Sequence, residues 1–294
     1  MRWPPGRRGD RGETTPPNAL PPRQLVAWKI QREVVLLIGW GRAILLQLAH
    51  PLVAQGVADH SAFLTEERGR WRRLYRTLDS MLRLSFGTPE DAARVVGRIN
   101  EIHGRVHGRL SESAGIFPAG TIYSARDPRL LCWVHATLLD SFVLTYELYV
   151  GPLTAAEKND YCAEASRIAP WFEIPEGLLP ESMADLERYM TRMRLSGEIV
   201  VSRTARALAR EIVAPTSVRV TRPLVWFNQL PTVGLLPPAI RQEYGFPWGA
   251  RRERALRLSA RCIRRLLTLT PSVVRHWPSA RAALYRPGTN HRAA

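Results

Sequence analysis

Lysine is scarce in this sequence. Only Lys29 and Lys158 stand among 42 basic residues, so arginine carries almost all of the formal net charge of +16. Such a charge favours anionic partners, including nucleic acids, phospholipid surfaces and ligands with carboxylates, and it does not determine a fold. The arginines cluster at residues 68–76 and 251–265, where apolar residues interrupt them at helical spacing. Because solvated helix faces show the same pattern, the charge alone selects no partner.

Cysteine and long apolar runs are also rare. The three cysteines, Cys132, Cys162 and Cys262, are odd in number and widely spaced, which argues against a disulfide framework and favours a reducing cytoplasm. Residues 1–22 lack the apolar stretch of a signal peptide and are predicted to be a disordered leader. The most apolar segment, 34–48, is shorter than the roughly 20 residues of a membrane span. Peripheral membrane contact through the arginine-rich helices stays open.

Helical periodicity runs through most of the chain and predicts an all-α fold. Thr88-Pro89 and Asp127-Pro128 pair a helix cap with a first-turn proline. Residues 130–149 are apolar almost all round, which is typical of the central helix of a bundle. We predict one domain over 23–286 with bundle-like or globin-like packing around a pocket, and a disordered tail at 287–294. The predicted helices are 24–50, 51–60, 66–84, 89–110, 128–151, 154–168, 182–196, 199–212, 223–229, 237–244, 249–268 and 273–285; a short strand is predicted at 217–221.

Five of the seven histidines precede residue 136 and lie in or beside apolar helices: His50, His60, His103, His107 and His135. His103 and His107 fall on or beside the apolar stripe of the predicted 89–110 helix, so both are expected to face the core. His135 has apolar neighbours one turn away on either side, which favours a neutral imidazole able to bind a metal. A lone histidine of this kind is usually a core residue, but three inward-facing ones favour a shared ligand.

The sequence lacks the motifs of several metal-dependent enzymes, nucleotide-binding proteins and serine hydrolases. Gly104 stands between His103 and His107 where a zinc protease would need glutamate, and paired Glu-x-x-His motifs of di-iron bundles are missing. No Gly-x-Gly-x-x-Gly, phosphate loop or Gly-x-Ser-x-Gly is found. A haem pocket fits better, because it needs an axial histidine, apolar walls and cations for the two propionates.

Two adjoining segments resemble the opening signature of the MpaB and latex-clearing-protein family. They are residues 41–54, GRAILLQLAHPLVA, and residues 59–63, DHSAF. Phe86-Gly87 and residues 102–108, 123–128, 133–138 and 228–244 are similar to later parts of the family pattern, so the resemblance spans about 24–285. It implies an all-helical protein that binds b-type haem and uses dioxygen, either to cleave polyisoprene or to act on terpenoid side chains.

The resemblance also implies roles for individual residues. The family's axial histidine lies in a segment similar to Trp133-Val134-His135, so His135 is the expected iron ligand. The family's distal side corresponds to the segment with His103 and His107, which are the expected catalytic residues. Rubber-cleaving members have Arg, Lys and Thr where this chain has His103, Val106 and His107, which argues against polyisoprene as substrate.

The remaining matches concern the cofactor pocket. Arg42, Arg126 and Arg129 are candidates for the haem propionates, because a guanidinium can bind a carboxylate with two hydrogen bonds. His50 matches the signature and is assigned to the pocket, whereas His60 either lines it or pins the first two helices together.

The sequence therefore predicts a cytoplasmic, haem b-dependent oxygenase that uses dioxygen on a small apolar molecule, isoprenoid or lipid-like in character. Whether the iron is five- or six-coordinate is left open. Two alternatives also stay open: a non-enzymatic helical carrier of haem or lipid, and a nucleic-acid-associated protein. The second has less support, because no helix-turn-helix or RNA-binding motif is present.

Overall fold

Helices dominate the computed structural model, which describes residues 25–60, 67–213 and 229–285. This confirms the all-α prediction. The predicted leader and tail, the strand at 217–221 and most of the 223–229 helix lie outside the described residues. The helices are α1 (Val26–Gln31), α2 (Leu37–Leu48), α3 (Pro51–His60), α4 (Glu67–Phe86), α5 (Pro89–Arg105), α6 (Pro128–Tyr149), α7 (Ala155–Arg167), α8 (Met183–Leu195), α9 (Arg203–Val213), α10 (Pro238–Glu243), α11 (Ala250–Leu269), α12 (Ser272–Arg275) and α13 (Pro278–Ala283). Residues 229–234 are also helical, and Val34–Leu36 and Ala169–Phe172 form 3₁₀ turns.

The helix starts follow the capping signals of the sequence. Thr88 accepts a hydrogen bond from the Asp91 amide, and the Asp91 carboxylate accepts one from the Thr88 amide, each over 3.2 Å. Asp127 caps α6 by accepting from the Arg129 amide over 2.8 Å, with Pro128 at the first helical position. Both caps satisfy amides that would otherwise lack partners at a helix start, which fixes where α5 and α6 begin.

Helix α6 is the central helix, as its all-round apolar sequence predicts. It packs on α1, α2, α8 and α11, and the main core includes Trp133, Leu139 and Phe142 from it. Its approach to α2 is close, because a β-carbon at Gly39 would overlap the Thr145 side chain. Glycine at this position therefore lets the two backbones come together.

One helix prediction is wrong at its C-terminal end. Helix α5 ends at Arg105 instead of Leu110, and the chain turns into β1 (His107–Arg109), which pairs antiparallel with β2 (Ile122–Ser124). Gly108 lies against the ring of Tyr123, where a side chain would not fit. Pairing with the distant β2 segment overrides the helical periodicity of 106–110, and periodicity within one segment cannot reveal such a partner.

A buried ion pair joins the two ends of the described domain. Glu33, which is fully buried, accepts hydrogen bonds from Arg275 Nε over 2.7 Å and Arg275 Nη2 over 2.8 Å. The His276 ring lies 3.3 Å from the same carboxylate, and the Trp277 amide donates to the Arg32 carbonyl over 3.1 Å. The segment after α12 is thereby fastened to the chain just after α1.

Within the described ranges, no single helix is both long and apolar enough to cross a membrane. The segments 34–48 and 51–60 pass that test together by length and composition, with a bend of 105° between them.

Candidate histidine site

His135 lies in the first half of α6, and its imidazole is neutral near neutral pH. Its enclosure lowers the pKa of the imidazole to about 4 from the usual 6.5, because burial disfavours the protonated form. Among the described residues, no side chain or backbone group hydrogen-bonds to the ring, which is partly accessible to solvent. A neutral imidazole with both nitrogens free is the form that can bind a metal ion.

His50 ends the turn between α2 and α3 and is 2% exposed. Burial lowers its pKa to about 4 as well, and its Nδ1 has no hydrogen-bond partner among the described residues. The Asp127 carboxylate opposes this shift of the pKa but does not outweigh the desolvation of the ring. Nε2 lies 3.8 Å from Glu198, too far for a hydrogen bond. The ring of Phe117 covers it at 5.3 Å between centroids. His50 is thus a second neutral, under-satisfied imidazole.

His103 lies near the C-terminal end of α5 and is half-buried. Desolvation lowers its pKa, the nearby Glu173 carboxylate opposes that effect, and Arg126 adds to it. Arg126 Nε lies 3.5 Å from Glu173, and Asn100 on the same helix donates to the Trp171 carbonyl over 2.8 Å. The end of α5 is therefore fixed against the 3₁₀ turn at 169–172.

Two small apolar clusters include residues from the first turns of α6 and lie near the elements that carry His50 and His103. One cluster contains Leu52 and Leu130 with Phe117 packed against it, and Phe117 covers His50. The other contains Leu131 and Cys132 with Ala169 and Ile174, next to the turn against which His103 lies. His135 follows both α6 segments by about one helical turn. Phe117 thus links His50 to the cluster that contains Leu130, and α5, which carries His103, packs on the 3₁₀ turn beside the cluster that contains Leu131.

His107 is not in this group, which corrects the prediction that it faces the core on α5. It lies in β1 and is exposed, because the helix ends two residues earlier. Its backbone oxygen accepts a hydrogen bond from His60 Nε2 over 3.0 Å. His60 thereby ties α3 to the hairpin, which is a pinning role, although to a different element from the one expected.

A polar network beside His60 was missed by the sequence reasoning. Tyr123 donates its hydroxyl to Asp59 over 2.6 Å, and Gln55 donates to the other oxygen of Asp59 over 2.8 Å. Ser111 donates to Gln55 over 2.8 Å. The only sequence signal was Asp59 beside His60, and its hairpin partners are more than 50 residues away.

The three arginines predicted at a cofactor carboxylate differ in their surroundings. Arg42 is buried and donates to the Leu235 carbonyl and the Ser141 hydroxyl, each over 2.7 Å, with Asp140 at 2.6 Å. A cofactor carboxylate would have to compete with Asp140 for it. Arg126 is exposed and forms an ion pair with Glu173. Arg129 is also exposed, and no described acidic side chain pairs with it. Arg126, just before the cap of α6, and Arg129, in its first turn, are therefore the more accessible guanidinium groups.

No group of three or more His, Cys, Asp or Glu side chains in the described ranges could hold a metal ion.

An all-helical domain with uncharged histidines inside it is a common scaffold for oxidative chemistry on a bound cofactor. The sequence model of one family, described as "ER-bound oxygenase mpaB/B'/Rubber oxygenase, catalytic domain", matches residues 28–265. The chain belongs to this family, as the resemblance in its histidine segments predicted. It is accordingly an oxidoreductase of the oxygenase class.

Two curated relatives are similar over most of the chain. They are the uncharacterized protein Mb2261 of Mycobacterium bovis and the uncharacterized protein Rv2237 of Mycobacterium tuberculosis. Each is 28% identical over 215 residues, which cover 72% of this chain and 80% of the relative. No solved structure matches the chain.

Proposed function

We propose that this protein is a haem b-dependent oxygenase that acts with dioxygen on a small apolar molecule, with His135 as the axial ligand. The observation that carries the proposal is the state of His135: its imidazole is neutral near neutral pH, and it makes no hydrogen bond to a described residue. When bound, haem supplies the iron centre that activates dioxygen.

The other residues of the site have supporting roles in this proposal. His103 is the polar group for the dioxygen side, because its neutral ring can donate or accept a hydrogen bond without bringing a buried charge. Glu173 and Arg126 fix its surroundings. His107 has no part in this assignment, since it lies exposed in β1.

Arg126 and Arg129 are the proposed partners of the cofactor carboxylates. Arg129 precedes His135 by six residues, about 9 Å along a helix, and no described acidic side chain neutralises it. His50 is the proposed second neutral imidazole of the site. Apolar side chains one turn from His135 in either direction, including Leu131 and Leu138, favour an apolar substrate and exclude water from the reaction.

We also retain the reducing cytoplasm as the proposed location. All three cysteines are free thiols in the structure, two of them buried, which is what a reducing compartment permits.

The test is the absorption spectrum of protein expressed with a haem precursor, recorded oxidised, reduced and with carbon monoxide. We expect a Soret band that shifts with carbon monoxide and a pyridine derivative typical of haem b. His135→Ala should lose the band, and imidazole added to this variant should restore part of it. His103→Ala is the matched control and should keep haem while changing the rate of dioxygen consumption with apolar substrates.

Three results would contradict parts of the proposal. Full haem occupancy in His135→Ala with an unchanged spectrum would refute the ligand assignment. Loss of haem in His103→Ala, with haem retained in His135→Ala, would show that the iron ligand is His103 on α5. A haem protein that consumes no dioxygen with any apolar compound would be a carrier.

A further inference from the structure

Helix α11 and the short helix α12 expose aliphatic side chains on their outer surface. Leu258 is 61% exposed, Leu266 62% and Leu269 82%, although large apolar side chains usually pack inside a protein. The surface continues beyond Pro271, where Val273 and Val274 are exposed as well. We call these five residues the aliphatic edge.

The aliphatic edge is separate from the side of α11 that packs on the protein. Leu256 and Ala260, four residues apart, are buried and face α6. Leu258, Cys262 and Leu266 repeat at the same spacing on another side of the helix, and all three are exposed. Helix α11 therefore has one apolar side that packs on the core and a second apolar side that is exposed in the part of the chain that the structure describes.

Arginines line this second side. Helix α11 contains seven arginines and a single acidic residue, Glu253, which pairs with Arg257 over 3.0 Å. Arg261, Arg264 and Arg265 are exposed, and no acidic side chain in the described ranges pairs with them. In helical projection Arg254, Arg261 and Arg265 lie within about 60° of Leu258, since successive residues turn by about 100°.

We propose that α11 and α12 dock this protein on the surface of a phospholipid bilayer that contains anionic lipids. The arginines pair with the negative headgroups, and the aliphatic edge enters the boundary between headgroups and acyl chains. Charge complementarity explains the arginines and shallow insertion explains the exposed leucines and valines. A nucleic acid would explain only the arginines. This inference does not rest on the proposed haem chemistry.

The experiment is flotation of the full-length protein with vesicles of phosphatidylcholine, with and without phosphatidylglycerol. We expect binding to the mixed vesicles only, weakened by added salt. Arg261→Gln combined with Arg265→Gln should weaken binding roughly 30-fold, about fivefold for each arginine removed near an anionic surface. The control is Arg94→Gln combined with Arg105→Gln on α5, which removes the same charge from exposed positions and should leave binding within about twofold of the starting protein.

Insertion is tested separately from charge. Leu269→Asp should weaken vesicle binding at least tenfold, whereas Leu195→Asp on α8, at the same 82% exposure, should leave it unchanged. Cys262 is the exposed cysteine of the three, so an environment-sensitive fluorophore attached to it should shift to the blue on mixed vesicles.

Several outcomes would overturn the proposal. They are absence of vesicle binding, equal loss in test and control variants, and a fluorophore on Cys262 that stays in water. Binding to duplex DNA that is as tight as vesicle binding and insensitive to Leu269→Asp would show a phosphate-binding face instead of a bilayer-binding one.

Discussion

Mild acid should destabilise the haem-free protein through its buried histidines. Burial lowers the pKa of His50 and of His135 to about 4 in the folded state, against 6.5 for an unperturbed histidine. Between these two values the unfolded chain binds protons that the folded protein does not bind, so the free energy of unfolding must fall as the pH falls. The loss begins near pH 6.5 and levels off near pH 4.

The size of the effect follows from the same values. The difference of about 2.5 pH units, at about 1.4 kcal/mol per unit, gives roughly 3.5 kcal/mol for each histidine and roughly 7 kcal/mol for both. A domain of this kind has a total stability of about 5–15 kcal/mol. The haem-free protein should therefore lose a large share of its stability between pH 6.5 and pH 4.

The measurement is urea unfolding followed by far-ultraviolet circular dichroism, at several pH values from about 7 to about 4.5. His50→Asn should be less stable at pH 7 but should lose the part of the pH dependence that His50 contributes, roughly 3.5 kcal/mol between pH 6.5 and pH 4. His60→Asn, which changes an exposed ring, should keep the full dependence. A flat profile across this range in the unmodified protein, or an unchanged slope in His50→Asn, would refute the reasoning.

Two further predictions concern the packing that supports the site. Glu33→Gln should lower the free energy of unfolding by about 3 kcal/mol or more, because Arg275 loses its buried counter-charge; adding Arg275→Met should recover much of the loss in urea unfolding, and no recovery would argue against the ion pair as the cause. Gly39→Ala should cost about 1–3 kcal/mol in the same assay, because its β-carbon overlaps Thr145 on α6. Gly97→Ala is the control, since its site is open and in a helix, and a gain of up to about 1 kcal/mol is expected.

The parts of the fold that sequence could predict are those with local causes. The caps at Thr88 and Asp127 fixed two helix starts, because a cap and its target amides lie within a few residues. The all-round apolar run of α6 identified the central helix for a similar reason. Side chains of one helix share a periodic pattern, and the environment of His135 followed from its neighbours one turn away.

The missed features depend on partners far apart in sequence. His107 follows the helical period of α5, yet β2, fifteen residues downstream, captures its segment. Arg42 looked like a free cation for a cofactor, but Asp140, almost a hundred residues away, pairs with it. Glu33 carried no motif at all. In each case the deciding interaction is a tertiary contact that no local pattern records.

The pairing of Glu33 with Arg275 also bears on the order in which this protein can assemble during synthesis. The two residues are 242 positions apart, so the buried carboxylate is made long before its counter-ion leaves the ribosome. Until then Arg32, whose Nε lies 3.8 Å from Glu33, is the partner of the carboxylate among the described residues, and contacts between such distant residues form slowly. The chain around Glu33 should accordingly reach its final packing only after Arg275, which lies outside the family match that ends at residue 265, has been made.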